Sequence, residues 1–600
     1  MRENRLKIVA FSIILVAIVY LLKLFFIQVI DSSYKDEAFN NAIERKIVYP
    51  YRGIIYDRNG QLLVTNTPVY DITITPKKAK IEDTAEFCRV MTITKEELLE
   101  KIAVAKKYSR VKPSSFITQL SNEDFARIQD KLVDYPGFEI VARSVRTYPH
   151  QSMANALGYI GEINKAQIEK YGENNYKAGD YIGISGLESK YEQFLRGKRG
   201  VKFVMVNVRG VEKGPFSNGK YDTLSVAGKD LYCGVDLDLQ KYAEYLIQNK
   251  VGSIIAIEPK TGEVLTFVSS PSYDPNMLRG KDFRKNYVKL LRDPVKPLFN
   301  RPLMAMYPPG STFKLINALI GLNEGIIDTS TIFPCNRSVV NCHGSHSHAN
   351  LFESIRVSCN PYYVAVFKKI LNRNVSHSIF RDTEIGFDHW REQVSKFGVG
   401  SKLGIDLPNE KKGQLPTNKF YDKVYGDGRW AFSTIYSLGL GQGEMGLVPI
   451  QLANLACIVA NKGYYIAPHL IRGIGDRHHK LKDYTIKHTV DINPKYFDFV
   501  TLAMQAVVQR GTATMARSKR IQICGKTGTA QNPHGKDNSL FIGFAPMHDP
   551  KIAICVVLEN AGWGATAAAP MASLIIQKYL TGNIEDQGRE DYVVKGNFIE

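Results

Sequence analysis

The sequence predicts an α+β protein carried on a single N-terminal transmembrane helix. Three observations predict it: an apolar run near the start of the chain, strand-like segments paired across short turns, and apolar helical segments between them. The anchor comes first. Residues 8–22 are apolar apart from Ser12 and Tyr20, and after Lys23 the run continues through Leu24, Phe25, Phe26 and Ile27. About twenty such residues span a bilayer, and a lysine near one end can snorkel to the interface. Arg2, Arg5 and Lys7 precede the run. They are expected to hold the short tail in the cytoplasm, so that everything beyond about residue 30 lies outside it. A cleaved signal peptide is the rival reading, but Gln28-Val29-Ile30-Asp31 supplies no small-x-small site, and an uncleaved anchor (1–30) is favoured.

Residues 31–230 mix short strand patterns with helical stretches such as 95–107, and read as a non-catalytic region. Residues 254–257 and 264–267 form a strand pair about the turn Glu258-Pro259-Lys260-Thr261-Gly262-Glu263. Pro308-Pro309-Gly310 forces a turn, and 313–320 then reads as a buried helix. Residues 521–524 alternate into Gly525-Lys526-Thr527-Gly528-Thr529, and 539–544 follow as an antiparallel partner. The last stretch, 582–600, is charged and expected as a tail. A chain of 600 residues exceeds one core, so two or more soluble domains are expected, and 44% hydrophobic with 23% charged residues describes a folded, non-repetitive protein. The net charge of +19 is dispersed, with no nucleic-acid motif. A basic face toward anionic envelope polymers or lipid headgroups is expected, and no nucleic acid.

Three short motifs in order carry the chemistry: Ser311-Thr312-Phe313-Lys314, Ser358-Cys359-Asn360 and Lys526-Thr527-Gly528-Thr529. Each alone is weak. Ser-x-x-Lys also occurs at Ser32, Ser109 and Ser217, and Lys-Thr-Gly also at Lys260, in a hairpin turn. Ser311 alone opens a buried helix, where a lysine three residues on shares its face and can take the hydroxyl proton. Free N–H groups at a helix start suit an oxyanion. Together the motifs supply a nucleophile, its base and a carboxylate-binding strand, the equipment of a serine acyl-transferase acting on D-alanyl amides or penicillins.

On these residues the chain resembles the class B penicillin-binding proteins, closest to the elongation (penicillin-binding protein 2) type. The likeness extends over nearly the whole chain: Pro50-Tyr51-Arg52-Gly53 through Asp57-Arg58-Asn59-Gly60, Gly186-Leu187-Glu188, Leu195-Arg196-Gly197, Ser272-Tyr273-Asp274-Pro275-Asn276, Gly439-Leu440-Gly441-Gln442-Gly443 and Gly543-Phe544-Ala545-Pro546. Asn155 and Asn538 depart from the family pattern. The resemblance implies an elongated mixed α/β pedestal over 31–230 and a transpeptidase domain over 231–581, an antiparallel sheet flanked by helices. It implies a peptidoglycan D,D-transpeptidase acting through a Ser311 acyl-enzyme, with Lys314 as base, Ser358 relaying a proton, and Asn360 positioning Lys314 and substrate. Lys526, Thr527, Gly528 and Thr529 would bind the terminal carboxylate, and backbone N–H groups of Ser311 and Thr529 would form the oxyanion hole. Implied partners are peptidoglycan stem peptides, β-lactams as covalent inhibitors, the inner membrane, and a multi-span glycosyltransferase of the shape-maintaining machinery.

Of eight cysteines, most lie in apolar surroundings, but Cys335 and Cys342 stand in a segment with His343, His346 and His348, and Cys359 follows. Such density could close a tetrahedral structural zinc site from Cys335, Cys342, Cys359 and His348. A Cys335–Cys342 disulfide, or a polar loop without metal, are the alternatives. The resemblance supports zinc, since some elongation-type relatives take a ligand from the residue between the motif serine and asparagine, here Cys359. Other family ligands include aspartates, which cysteine and histidine replace here. A division-type relative, a β-lactam-sensing receptor, a β-lactamase and a silent scaffold are the competing functions. A receptor is expected to carry several spans and a cytoplasmic effector, and a β-lactamase would leave the 31–230 region unexplained. A scaffold is disfavoured because all three motifs are intact.

Overall fold

The computed structural model describes residues 2–30, 43–111, 113–120, 122–172, 176, 179–207, 212–280, 282–477, 481–532 and 535–596. Free of glycine and proline, Arg2–Phe25 forms one helix, continued by a π-helical turn over Phe26–Ile30. Within it Leu6–Gln28 is long and apolar enough to cross a membrane, the one such helix among the described residues. The polar Ser12 hydroxyl donates to the Ile8 carbonyl at 2.9 Å, so it brings no unmet hydrogen bond into the apolar run. The Ser-x-x-Lys match at Ser32 lies outside the described residues.

The chain divides into two compact units. One comprises Met1–Arg52, Pro68–Ser144 and Arg196–Gly228. In it Ile43–Val48 pairs antiparallel with Gly200–Val206, which pairs in turn with Glu212–Pro215. The core is aromatic: the Phe138 ring lies 4.8 Å from Phe87 and 5.0 Å from Phe116, centroid to centroid. The expected helix over 95–107 forms as Lys95–Tyr108, opened by a capping box between Thr94 and Glu97.

The other unit comprises Gly53–Thr67, Val145–Leu195 and Lys229–Glu600. Its centre is a five-stranded sheet of β1 (Gly252–Ile257), β2 (Val264–Ser270), β3 (Cys524–Ala530), β4 (Asn538–Ala545) and β5 (Ile552–Leu558). The order is β2-β1-β5-β4-β3, antiparallel at every step. β1, β4 and β5 are buried at every position, so they read as continuous apolar runs covered on both faces. The covering helices include α1 (Leu237–Ile247), α2 (Lys314–Asn323), α3 (Asn360–Leu371), α4 (Pro449–Ala460), α5 (Pro494–Arg510) and α6 (Ala568–Thr581). β3 ends the sheet and leaves one edge open.

Two findings differ from the expected organisation. The compact units cut across the boundary at residue 230, because parts of the 31–230 region are tied into the second unit. Asp57 accepts from the Leu237 amide at 3.2 Å, and the Tyr191 hydroxyl donates to buried Asp406 at 2.8 Å. Arg146 and Glu188 form a wholly buried ion pair at 2.7 Å. Nor are the described residues of 582–600 a free tail: Gln587–Lys595 is a helix capped by Asp586, and Val593 is fully buried in the core. Ile584 and Val594 pack against the same core, and the Ser518 hydroxyl donates to Glu585 at 2.6 Å, so apolar and polar contacts together dock the charged segment.

Candidate active site

Ser311 lies in a tight 3-10 turn, Gly310–Thr312, that runs into α2. Gly310 has φ +54°, and a Cβ there would sit 2.7 Å from the Thr529 carbonyl oxygen, so only glycine lets the serine turn press against β3. Its amide donates to the Gly441 carbonyl at 2.8 Å, and the Gln442 side chain donates to the Thr529 carbonyl at 2.9 Å. The segment Gly439–Gly443 thus ties the serine turn to the end of β3. Gln442 stands in one of the segments that carry the family resemblance, but its residue type alone assigned it no role.

Lys314, on the first turn of α2, is wholly buried. Its Nζ donates to the Ser358 carbonyl at 2.8 Å and to Asn360 Oδ1 at 2.5 Å, and lies 3.3 Å from Ser358 Oγ. Burial pulls its pKa down to about 7, against the opposing pull of the Cys359 and Cys342 thiols. Ser358 adopts φ +59°, a left-handed conformation that costs a β-carbon residue about 1 kcal/mol or more and brings its hydroxyl between two lysines. From the other side Lys526 Nζ donates to Ser358 Oγ at 2.9 Å and to the Thr527 carbonyl at 3.1 Å. Lys526 is also wholly buried, and burial, then the neighbouring Lys314 charge, hold its pKa well below the usual lysine range. Thr527 shares a 2.8 Å hydrogen bond with Thr512.

All eight residues expected to carry the chemistry therefore lie in this one unit, on the serine turn, the start of α2, the loop before α3 and its first residue, and β3. The Thr529 carbonyl is taken by Gln442 rather than by β4, so the carbonyl and amide of Thr529 both face the open edge, as they do at a non-hydrogen-bonded antiparallel position. Lys260, by contrast, sits in the expected hairpin turn between β1 and β2 and pairs with Asp549 at 2.7 Å.

Beside Asn360, the donor atoms of Cys335, Cys342, His346 and Cys359 lie within 4.8 Å of one another. The imidazole is His346, not the expected His348. His348 begins the short strand His348–Ala349, where the buried Ala349 takes the inward face and leaves His348 exposed, 3.0 Å from the Ser347 hydroxyl. The eight cysteines are free thiols, so the Cys335–Cys342 disulfide is not formed. Cys342 and Cys359 share a hydrogen bond that pulls the Cys342 thiol down to about 5 and pushes Cys359 up. Asn360 Nδ2 donates to the Asn341 carbonyl at 2.7 Å, fastening this loop to the catalytic network.

Residues 252–577 match the family described as Penicillin binding protein transpeptidase domain, and residues 47–233 match Penicillin-binding Protein dimerisation domain. Peptidoglycan D,D-transpeptidase MrdA of Acinetobacter baumannii is 32% identical over 571 residues, covering 88% of this chain and 80% of that protein. The crystal structure of Pseudomonas aeruginosa PBP2 in complex with WCK 5153 is 27% identical, with a TM-score of 0.66 over 91% of this chain and 99% of that one. The complex between PBP2 and MreC from Helicobacter pylori shares the fold at 24% identity, with a TM-score of 0.73 over 90% of this chain and 100% of that one. With its dimerisation and transpeptidase regions in sequence, the chain belongs to the penicillin-binding proteins.

Proposed function

We propose that this protein is an elongation-type peptidoglycan D,D-transpeptidase and a β-lactam target. The observation that carries the reading is the single network in which Lys314, Ser358, Asn360 and Lys526 converge beside the Ser311 turn. Neutral Lys314 takes the Ser311 hydroxyl proton as Oγ bonds to the carbonyl carbon between two D-alanines. The negative charge that develops on the carbonyl oxygen is met by the amides of Ser311 and Thr529. The carbon–nitrogen bond breaks, and the departing D-alanine nitrogen takes a proton through Ser358, whose oxygen is held by Lys526. An amine from a neighbouring stem peptide then attacks the acyl-enzyme, forms the crosslink and returns the proton to Ser311. Asn360 orients Lys314, and Lys526, Thr527, Gly528 and Thr529 receive the terminal carboxylate, which restores the positive charge that burial disfavours on Lys526. No cofactor is needed for this chemistry.

A zinc ion held by Cys335, Cys342, His346 and Cys359 fits the donor set, three thiols and one imidazole, and would fix the loop that carries Ser358 and Asn360. The apolar helix would anchor the chain in the cytoplasmic membrane with 31–230 as pedestal and 231–581 as catalytic domain in the periplasm. MreC, present with PBP2 in the Helicobacter pylori complex, makes a shape-maintaining partner, with a multi-span glycosyltransferase, the fitting assembly. The test is release of D-alanine and formation of crosslinked product from stem pentapeptide by the full chain, absent in Ser311→Ala. Depletion in its own cell should give rounding; filamentation would indicate the division type instead.

A further inference from the structure

Two aromatic side chains that the mechanism does not use meet beside the Lys-Thr-Gly strand β3. His343 and Trp563 stand with ring centroids 4.6 Å apart, edge to face at 79°. They belong to loops more than two hundred residues apart, and each loop is fastened to a different wall of the active site. His343 directly follows Cys342, and the loop is held by Asn360 Nδ2 on the Asn341 carbonyl at 2.7 Å. Trp563 lies on the loop between β5 and α6, pinned to the sheet by Ser539 Oγ on its own carbonyl at 3.0 Å and by the Gly562 amide on the Asp537 carbonyl at 2.8 Å. Gly564 lies so close to the strands that a Cβ would meet the Gly528 and Leu540 carbonyl oxygens at 2.3 Å. The indole is therefore carried on a loop seated directly over the Lys-Thr-Gly strand, yet Trp563 is 53% exposed.

We infer that His343 and Trp563 form an aromatic clamp that selects acyl donors by the group attached beyond the D-alanyl-D-alanine unit, an inference that rests on the transpeptidase reading. A ligand that lies along an open strand edge pairs its backbone there and presents its side groups to whatever borders the edge. Bulky apolar or aryl groups gain contact with the indole and imidazole; a ligand without such a group gains nothing. Both residues are specificity determinants and neither moves a proton.

The test compares benzylpenicillin, which carries an aryl acyl group, with 6-aminopenicillanic acid, which lacks one, on the full chain in detergent. An aromatic contact of ordinary strength corresponds to about a fivefold effect. Trp563→Ala and His343→Ala should each slow acylation by benzylpenicillin about fivefold while changing 6-aminopenicillanic acid less than about twofold. Trp563→Phe and His343→Phe should restore the difference. Trp390 and Trp430 are wholly buried and Trp563 is exposed, so a change in tryptophan emission that is lost in Trp563→Phe reports on Trp563, and it should accompany benzylpenicillin binding before acylation. Equal losses for both ligands, a gain, or no change would overturn the clamp. Absence of any adduct on the unaltered protein would instead overturn the transpeptidase reading.

Discussion

Lys526 Nζ lies 2.9 Å from Ser358 Oγ, and the same hydroxyl lies 3.3 Å from Lys314 Nζ, so one serine hydroxyl joins two buried lysines that belong to different motifs. With Lys526 donating into its oxygen, the Ser358 proton is free to move toward Lys314 or toward a leaving amine. Ser358→Ala should therefore slow acylation by about 10²-fold or more while the fold persists. Stopped-flow acylation kinetics beside a thermal melt would check this; a loss matched by unfolding would point to a structural role alone.

Acylation should rise with pH through about 7. Lys314 acts as base only when neutral, and burial has brought its pKa to about 7. Below that value the ammonium form dominates; above it the amine does. The rate should climb about tenfold between roughly pH 6 and roughly pH 8. A flat profile over that window would mean that another group takes the proton.

Gly310→Ala should cost activity and stability together. The left-handed φ and the 2.7 Å approach to the Thr529 carbonyl leave no room for a methyl group, so the serine turn must part from β3. The expected loss is about 1–3 kcal/mol in unfolding free energy, with acylation reduced further than stability explains. Chemical denaturation and acylation rates on the same preparation separate the two.

Purified protein should hold about one zinc ion per chain. Cys335→Ser, Cys342→Ser and His346→Ala should lose it and slow acylation, whereas His348→Ala should keep both metal and rate. Metal analysis by mass spectrometry checks the stoichiometry. Retention of zinc in His346→Ala with loss in His348→Ala would reinstate the ligand set expected from the sequence.

The particular residues show what a sequence can carry. Ser311, Lys314 and the strand of Lys526 were legible because turn, apolar helix and alternation are local patterns, as was the hairpin that removes Lys260 from consideration. Which histidine joins the thiols was not legible. It turns on whether Ala349 or His348 faces inward, and only the pairing of Pro334 with His348 fixes that. Gln442, Thr512 and the His343–Trp563 pair were hidden for a related reason, since each acquires its role from a neighbour distant in sequence. The docked helix Gln587–Lys595 was concealed by its charge, since Val593, buried in the hydrophobic core, and Val594 are the only aliphatic residues in it.

The central claim is that Ser311 is the nucleophile of this network. The intact mass of the full chain after benzylpenicillin, with peptide mapping and Ser311→Ala as control, tests it most directly. A single long-lived adduct on Ser311, absent from the alanine variant, is the predicted result. A well-folded protein with no adduct, or one carrying the adduct on another residue, would contradict it.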